Sequence, residues 1–398
     1  MATIDVPEPG TYDIELRIVT DDNRYFERTM RITFRSWFFA SMGDSSASGE
    51  GNPMVDGDSD DHSLRGWPLC QAATFANIVN TVGGVVGLPV TISMSDQPEW
   101  LEKEAHRSLT SGPALAARRL ENRSARTLSG RIHKLDVITF VTVARSGAKI
   151  ETGLLQPQGG ASDFKGIGQI DELKQTANGR TVDVMMINIG GNDAGFSTVL
   201  ANMVAEDSIL KPSLSELILM GLLRLPIGGN DAAERQKIRD RLSVAIARGG
   251  PIEQAFDDLR DKVNELITPV TGKVYITGYP IWLFDTRDAN GTLGFKADGV
   301  FSGPDMDVTG ADYKAILAHG QDLNDLIERK AGEFTWIYVE PSQAFRGRGY
   351  AATQSLWRGA SRSCDIQGNF DGTMHPTAEG HGEWALQYAA AIRANSMT

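Results

Sequence analysis

Apolar runs too short for helices recur along the chain at residues 37–40, 137–143, 182–189, 274–278 and 336–339, and helical patterns lie between them. A continuous apolar run bounded by polar turns is what a strand covered on both faces requires, because neither face meets water. Residues 114–121, 236–247 and 252–266 carry the spacing of amphipathic helices. This alternation predicts an α/β fold, a three-layer α/β/α doubly wound parallel sheet. Its chemistry should lie in loops beyond the carboxyl ends of the strands. The acidic stretch 56–61 and the segment 211–231 read as insertions at the rim.

Ahead of the first run the period differs. Tyr12, Ile14, Leu16 and Ile18 alternate with Asp13, Glu15 and Arg17, and Met30, Ile32 and Phe34 alternate again after the turn Asp21-Asp22-Asn23. This is a β-hairpin with one face half covered. A hairpin alone is marginal in water, so it either pads the main domain or ends a preceding β-sandwich. The string Pro7-Glu8-Pro9-Gly10-Thr11-Tyr12 resembles the end of a PKD-type sandwich repeat and favours the second reading. The expected division is therefore 1–36 for the hairpin and 37–398 for the main domain.

The totals narrow the function classes. A net charge of −12 with dispersed basic residues argues against nucleic acid, since phosphate neutralisation needs clustered cations. No stretch reaches the roughly 18 apolar residues of a membrane span. Residues 1–9 are polar and lack the apolar core of a secretory signal, so a cytoplasmic location stays open. With two cysteines, Cys70 and Cys364, the chain has room for one disulfide or for two buried thiols.

Three segments carry the chemistry. Gly43-Asp44-Ser45-Ser46-Ala47-Ser48-Gly49-Glu50-Gly51 follows the first buried run and sets Ser45 in a strand-to-helix turn. It is not a G-x-S-x-G elbow, because residue 47 is alanine. Alone, it reads equally as a plain Gly/Ser turn or a phosphate cradle. Ile187-Asn188-Ile189-Gly190-Gly191-Asn192-Asp193 puts an amide at another strand end, where it can donate to an oxyanion or simply close a turn. Asp371-Gly372-Thr373-Met374-His375-Pro376 supplies a loop histidine held by a following proline. Its use depends on Ser45 lying beside it.

Taken together, these segments resemble the SGNH (GDSL-type) hydrolases, and most closely their bacterial secreted lipase/esterase branch. The resemblance covers about residues 37–390. Gly43-Asp44-Ser45 with Gly49-Glu50-Gly51 is similar to the family's first block. His106-Arg107-Ser108 with Pro113-Ala114-Leu115-Ala116 is similar to the branch's CHRS and YPALA strings. Ala144-Arg145-Ser146-Gly147-Ala148 resembles its ACSGA block, Gly190 to Phe196 its GGNDxGF block, and His375-Pro376-Thr377-Ala378-Glu379-Gly380-His381 its HPNAAGH ending. The resemblance implies a flavodoxin-like sheet and a cofactor-free carboxylester hydrolase. Ser45 would be the nucleophile and His375 its base. The N–H groups of Ser45 and Gly147, with the Asn192 amide, would form the oxyanion hole. Lipid, short-chain or aryl esters would be substrates, acetylated sugars the alternative, and the location extracellular. A non-catalytic binding protein on the same scaffold is the remaining reading, and retention of all four residue types argues against it.

The departures matter as much. The branch carries cysteines where this chain has Ala105 and Arg145. Its aspartate three residues before the histidine is here Gly372, so the orienting group is either Asp371, one residue further off, or a backbone carbonyl. Asp56, Asp58, Asp60 and Asp61 have the spacing of Ca²⁺ ligands without the later glutamate, and a solvated acidic loop is the better reading. His62, His106, His133 and His319 show no paired metal-ligand spacing, and His381 reads as structural.

Overall fold

The computed structural model describes residues 8–59, 94–124, 132–159, 165–195, 240, 243–296, 310–369 and 371–397. The helical pattern at 236–247 falls largely outside these residues, and the proposed rim insertion at 211–231, Cys70 and His62 fall wholly outside. Five parallel strands form the sheet: β2 (Tyr25–Gly43), β5 (Ile132–Thr142), β6 (Val184–Asn188), β7 (Lys273–Thr277) and β10 (Ile337–Val339). Their order is β5-β2-β6-β7-β10, with β1 (Gly10–Val19) added antiparallel to β2. The chain steps from β2 to β5 and then returns to β6 on the other side of β2. The point where it reverses direction is where such sheets hold ligands.

The two faces of the sheet bury alternate residues of the same strands. Phe38, Ala40, Met42, Met185, Ile187, Val274 and Ile276 pack with Ile170, Leu173, Phe256, Leu259, Val263, Leu323 and Ile327. Those partners come from α3 (Gln169–Ala177), α4 (Pro251–Asn264) and α5 (Gly310–Glu333). Phe39, Val184, Met186, Tyr275 and Val339 face the other way, onto Ala116, Leu120, Trp384, Tyr388 and Ile392. These belong to α2 (Gly112–Ser124) and α7 (Ala378–Asn395). Helices on both faces make the three layers and explain why the strands read as unbroken apolar runs.

The hairpin is continuous with the sheet. Residues 25–43 are a single strand, and its register runs from Val19↔Tyr25 to Gly10↔Phe34 along β1, then from Phe39↔Val184 to Gly43↔Asn188 along β6. The change of period near residue 36 marks a change of cover along that strand: its first half is mostly exposed and its second half buried. No helix among the described residues is long and apolar enough to cross a membrane.

Among the described residues, two short antiparallel strand pairs lie off the sheet: β3 (Asp58–Ser59) with β4 (Met94–Asp96), and β8 (Asp285–Arg287) with β9 (Leu293–Phe295). The helix α6 (Ala360–Gln367) precedes the histidine loop, and its Cys364 is disulfide-bonded.

Candidate active site

Strand β2 ends on Gly43, whose φ of +144° and approach to the Asn188 carbonyl leave no room for a side chain; an added Cβ would lie 2.0 Å from that oxygen. Gln169, fully buried, accepts from the Gly43 N–H at 2.9 Å and donates to its carbonyl at 2.8 Å. The next residue, Asp44, caps the single turn α1 (Ser45–Ser48) by accepting from the Ser46 N–H at 3.0 Å. Ser45 opens that turn half-buried, at the carboxyl end of β2.

His375 comes to Ser45 across 330 residues of chain, with Nε2 2.7 Å from Oγ. Three features fix its loop. The Arg358 N–H donates to the His375 carbonyl at 2.7 Å, and the Met374 N–H donates to the Arg358 carbonyl at 2.9 Å. Met374 holds φ at +61°, a strained value for a side-chain-bearing residue, and is buried in an apolar cluster with Phe345, Leu356 and Trp357. Pro376 forms a bridge with Trp357.

The other ring nitrogen, Nδ1, lies 3.2 Å from the Thr373 carbonyl. Of the two kinds of orienting group expected from sequence, a backbone carbonyl rather than the Asp371 carboxylate stands there, and it belongs to Thr373 rather than Gly372. The Gly372 carbonyl instead accepts from the His375 N–H at 3.1 Å. Asp371 is exposed, and its carboxylate makes no hydrogen bond to His375 among the described residues. Burial lowers the His375 pKa below the usual histidine value, with the Glu50 carboxylate opposing the shift.

The segments at 145–150 and 191–193 are hydrogen-bonded to each other and to the turn that carries Ser45. The Arg145 N–H donates to the Gly43 carbonyl at 3.1 Å, which sets the 145–150 turn beside the Ser45 turn. Asn192 Nδ2 donates to the Ala148 carbonyl at 3.0 Å, and Asp193 accepts from the Ile150 N–H at 3.1 Å. An amide nitrogen carries two hydrogens, so Asn192 keeps one to offer. The Gly191 N–H donates to the Tyr279 hydroxyl at 3.0 Å, and that hydroxyl donates to Asp44 at 2.5 Å. Gly147 is exposed in its turn at φ +75°, and among the described residues the N–H groups of Gly147 and Ser45 donate elsewhere to nothing. Burial pushes Asp44 up to about 7 and Asp193 up to about 6, each opposed by the hydrogen bonds it accepts.

The two departures at 105 and 145 meet in space. The Ser146 N–H donates to the Ala105 carbonyl at 3.1 Å. Arg145, fully buried, donates to Glu172 at 2.6 Å, and Arg107 makes two further bonds to the same carboxylate at 2.7 and 2.8 Å. Burial would raise Glu172, but these cations outweigh it and hold the carboxyl at about 2. Charge and backbone bonding join the two loops here.

The other sequence candidates lie apart. Asp56 is paired with Arg362 at 3.1 Å, Asp58 opens β3, and Asp60 and Asp61 are outside the described residues. His381 is fully buried, and its Nδ1 accepts from the Gly112 N–H at 3.2 Å. Sequence reasoning assigned no role to Glu50, His106, Gln367, Thr373 or Tyr279. Glu50, His106 and Thr373 carried a signal, as members of quoted motifs; Gln367 and Tyr279 carried none.

No protein-family model and no curated protein matches the sequence. Among solved structures the chain is similar to an extracellular lipase from Streptomyces rimosus, at 16% identity and a TM-score of 0.47, over 90% of this chain and 99% of that one. It is similar to phospholipase A1 from Streptomyces albidoflavus NA297, at 16% identity and a TM-score of 0.49, over 91% and 100%. A carbohydrate acetylesterase family member from Sinorhizobium meliloti matches at 10% identity and a TM-score of 0.33, over 91% and 100%.

Proposed function

We propose that this protein is a serine carboxylester hydrolase acting through an acyl-serine intermediate. The observation that carries the reading is the 2.7 Å approach of His375 Nε2 to Ser45 Oγ in a turn at the switch point of the sheet. In the reaction so read, Nε2 takes the Ser45 proton as Oγ bonds the ester carbonyl carbon. The resulting oxyanion is met by the N–H groups of Ser45 and Gly147 and by Asn192. Collapse breaks the bond to the alkoxy oxygen, which leaves with the proton from Nε2, and water repeats the sequence to release the acid. The Thr373 carbonyl holds the ring so that Nδ1 keeps its hydrogen and Nε2 is free to accept. All of these steps use protein groups and water.

The substrates are small-molecule esters, with lipid and aryl esters first and acetylated sugars second. The test is a panel of p-nitrophenyl esters from acetate to palmitate beside acetylated xylan, each with Ser45→Ala as control. The wild type should hydrolyse at least one class, and Ser45→Ala should lose nearly all of that activity while melting like the wild type. A variant that keeps more than a few per cent of turnover would remove Ser45 from the chemistry.

A further inference from the structure

Glu50 is a fully buried carboxylate one turn beyond the nucleophile, and its own N–H donates to the Ser45 carbonyl at 3.0 Å. Its two oxygens are both engaged. Oε2 lies 2.5 Å from His106 Nδ1, and Oε1 accepts from Gln367 Nε2 at 2.8 Å. The same Gln367 nitrogen donates to Asn369 Oδ1, which accepts from the Asp371 N–H at 3.0 Å, so Glu50 is wired into the loop that carries His375. The next residue, Gly51, touches that loop directly. It sits at φ +78°, and a Cβ there would lie 3.0 Å from the Gly372 carbonyl and 3.2 Å from the His375 Cβ.

We propose that Glu50 is a positioning residue for the Ser45–His375 pair, supplying through space the fixed negative charge that no side chain supplies at Nδ1, with His106 as its counter-ion. This rests on the hydrolase reading above. A carbonyl on Nδ1 orients the ring but stabilises the imidazolium only by its dipole. A buried carboxylate nearby stabilises the imidazolium by charge, in a medium that screens poorly. Burial would raise the Glu50 carboxyl, yet the charge and hydrogen bond of His106 hold it low and ionised. Burial would lower His106, and Glu50 more than offsets this, pushing it up to about 9. The pair is therefore ionic at neutral pH. Glu50 pulls the His375 pKa up more strongly than His106 pushes it down.

Other charged and titratable groups surround the histidine. Asp371 lies on its own loop, and Lys103 acts on His106 from the 101–107 segment. Arg358 donates to the Gly51 carbonyl at 2.8 Å, Asp44 caps α1, and His381 on α7 is held neutral by burial, at about 3. None of these makes a hydrogen bond to Glu50 that would replace His106.

The test compares wild type, Glu50→Gln and His106→Asn. Asparagine suits position 106, because His106 holds φ at +48° and asparagine tolerates the left-handed region. Two quantities are read in each protein: the acid limb of kcat/KM against pH on p-nitrophenyl acetate, and the NMR titration of the His375 imidazole in the resting protein. Glu50→Gln should move both midpoints down by about one unit and cut kcat by about tenfold or more. His106→Asn takes away the cation that holds the buried Glu50 ionised, so Glu50 takes up a proton and both midpoints should again move down. Midpoints that stay within about 0.2 unit of wild type in Glu50→Gln, or that rise in either variant, would overturn the proposal. Should Glu50→Gln fail to fold, the downward shift in His106→Asn decides alone. Downward NMR shifts in a protein that hydrolyses no ester would keep the coupling and sink the hydrolase reading. Unmoved shifts with a dead Ser45→Ala would do the reverse.

Discussion

Tyr279 holds the amide loop against the nucleophile turn, and removing its hydroxyl should cost both stability and rate. The oxygen accepts from the buried Gly191 N–H at 3.0 Å and donates to the buried Asp44 at 2.5 Å. Tyr279→Phe leaves the ring and deletes both bonds. An unsatisfied buried N–H costs about 1–3 kcal/mol, and a lost hydrogen bond to a carboxylate about 1.5–3 kcal/mol. Asp44 limits the second loss. Burial already pushes it up to about 7, so without its donor it takes a proton at neutral pH and stays uncharged. A destabilisation of about 2–4 kcal/mol is the expected sum. Asn192 lies one residue beyond the freed Gly191, so the proposed oxyanion donors should lose register, costing about tenfold in kcat, or about 1.4 kcal/mol. KM should change little, because the lost alignment matters mainly in the transition state. Urea unfolding and steady-state kinetics on one soluble ester measure both effects. A variant within about 0.5 kcal/mol of wild-type stability and within twofold of its kcat would refute the reasoning.

Three further outcomes follow from the same geometry. Asp371→Ala should cost less than about tenfold in kcat, against the roughly ten-thousandfold loss when a true triad acid is disabled, because the Thr373 carbonyl rather than the Asp371 carboxylate faces Nδ1; a hundredfold loss would restore Asp371 as the orienting acid. Asn192→Ala should lower kcat by about a hundredfold with KM little changed, and a pure KM effect would place the amide in substrate binding instead. The Glu50–His106 pair should stabilise fully between about pH 4.5 and 6.5, fade as pH rises through about 9, where His106 loses its proton, and fade again on the acid side as Glu50 is protonated below its ordinary value of 4.5. The melting-temperature gap between wild type and His106→Asn should therefore shrink above pH 9, and a gap independent of pH would count against the ion pair.

Much of this was legible in the sequence, for physical reasons. Strands buried on both faces must be apolar throughout, so runs such as 182–189 identified β6 without ambiguity. Ser45, Gly147, Asn192 and His375 sit in motifs legible in the chain, and the fold brings those segments together beyond the carboxyl ends of β5, β2 and β6. The continuity of β2 was hidden, because a strand that passes from solvent into the core changes period without ending. What holds Nδ1 was hidden too, since a main-chain carbonyl has no residue signature. Tyr279 meets Asp44 across 235 positions, and nothing local to either announces the contact. Arg145 was visible in the sequence as a departure from the motif it resembles. Its partner Glu172 was not, because it lies on α3 in a separate segment.

The single strand from Tyr25 to Gly43 also fixes a direction in the molecule. At about 3.3 Å per residue it spans roughly 60 Å, from the turn at residues 20–24 to the glycine that abuts the nucleophile. A rod of extended backbone has no hinge, so whatever grips the turn also aims the catalytic end. Attached to a bead or a surface through Asp21 or Asp22, the protein would stand with the Gly43 end of β2 directed away from it. Attached through a residue at the active-site end, it would be buried mouth-down, and the ratio of the two immobilised activities would read the strand's orientation directly.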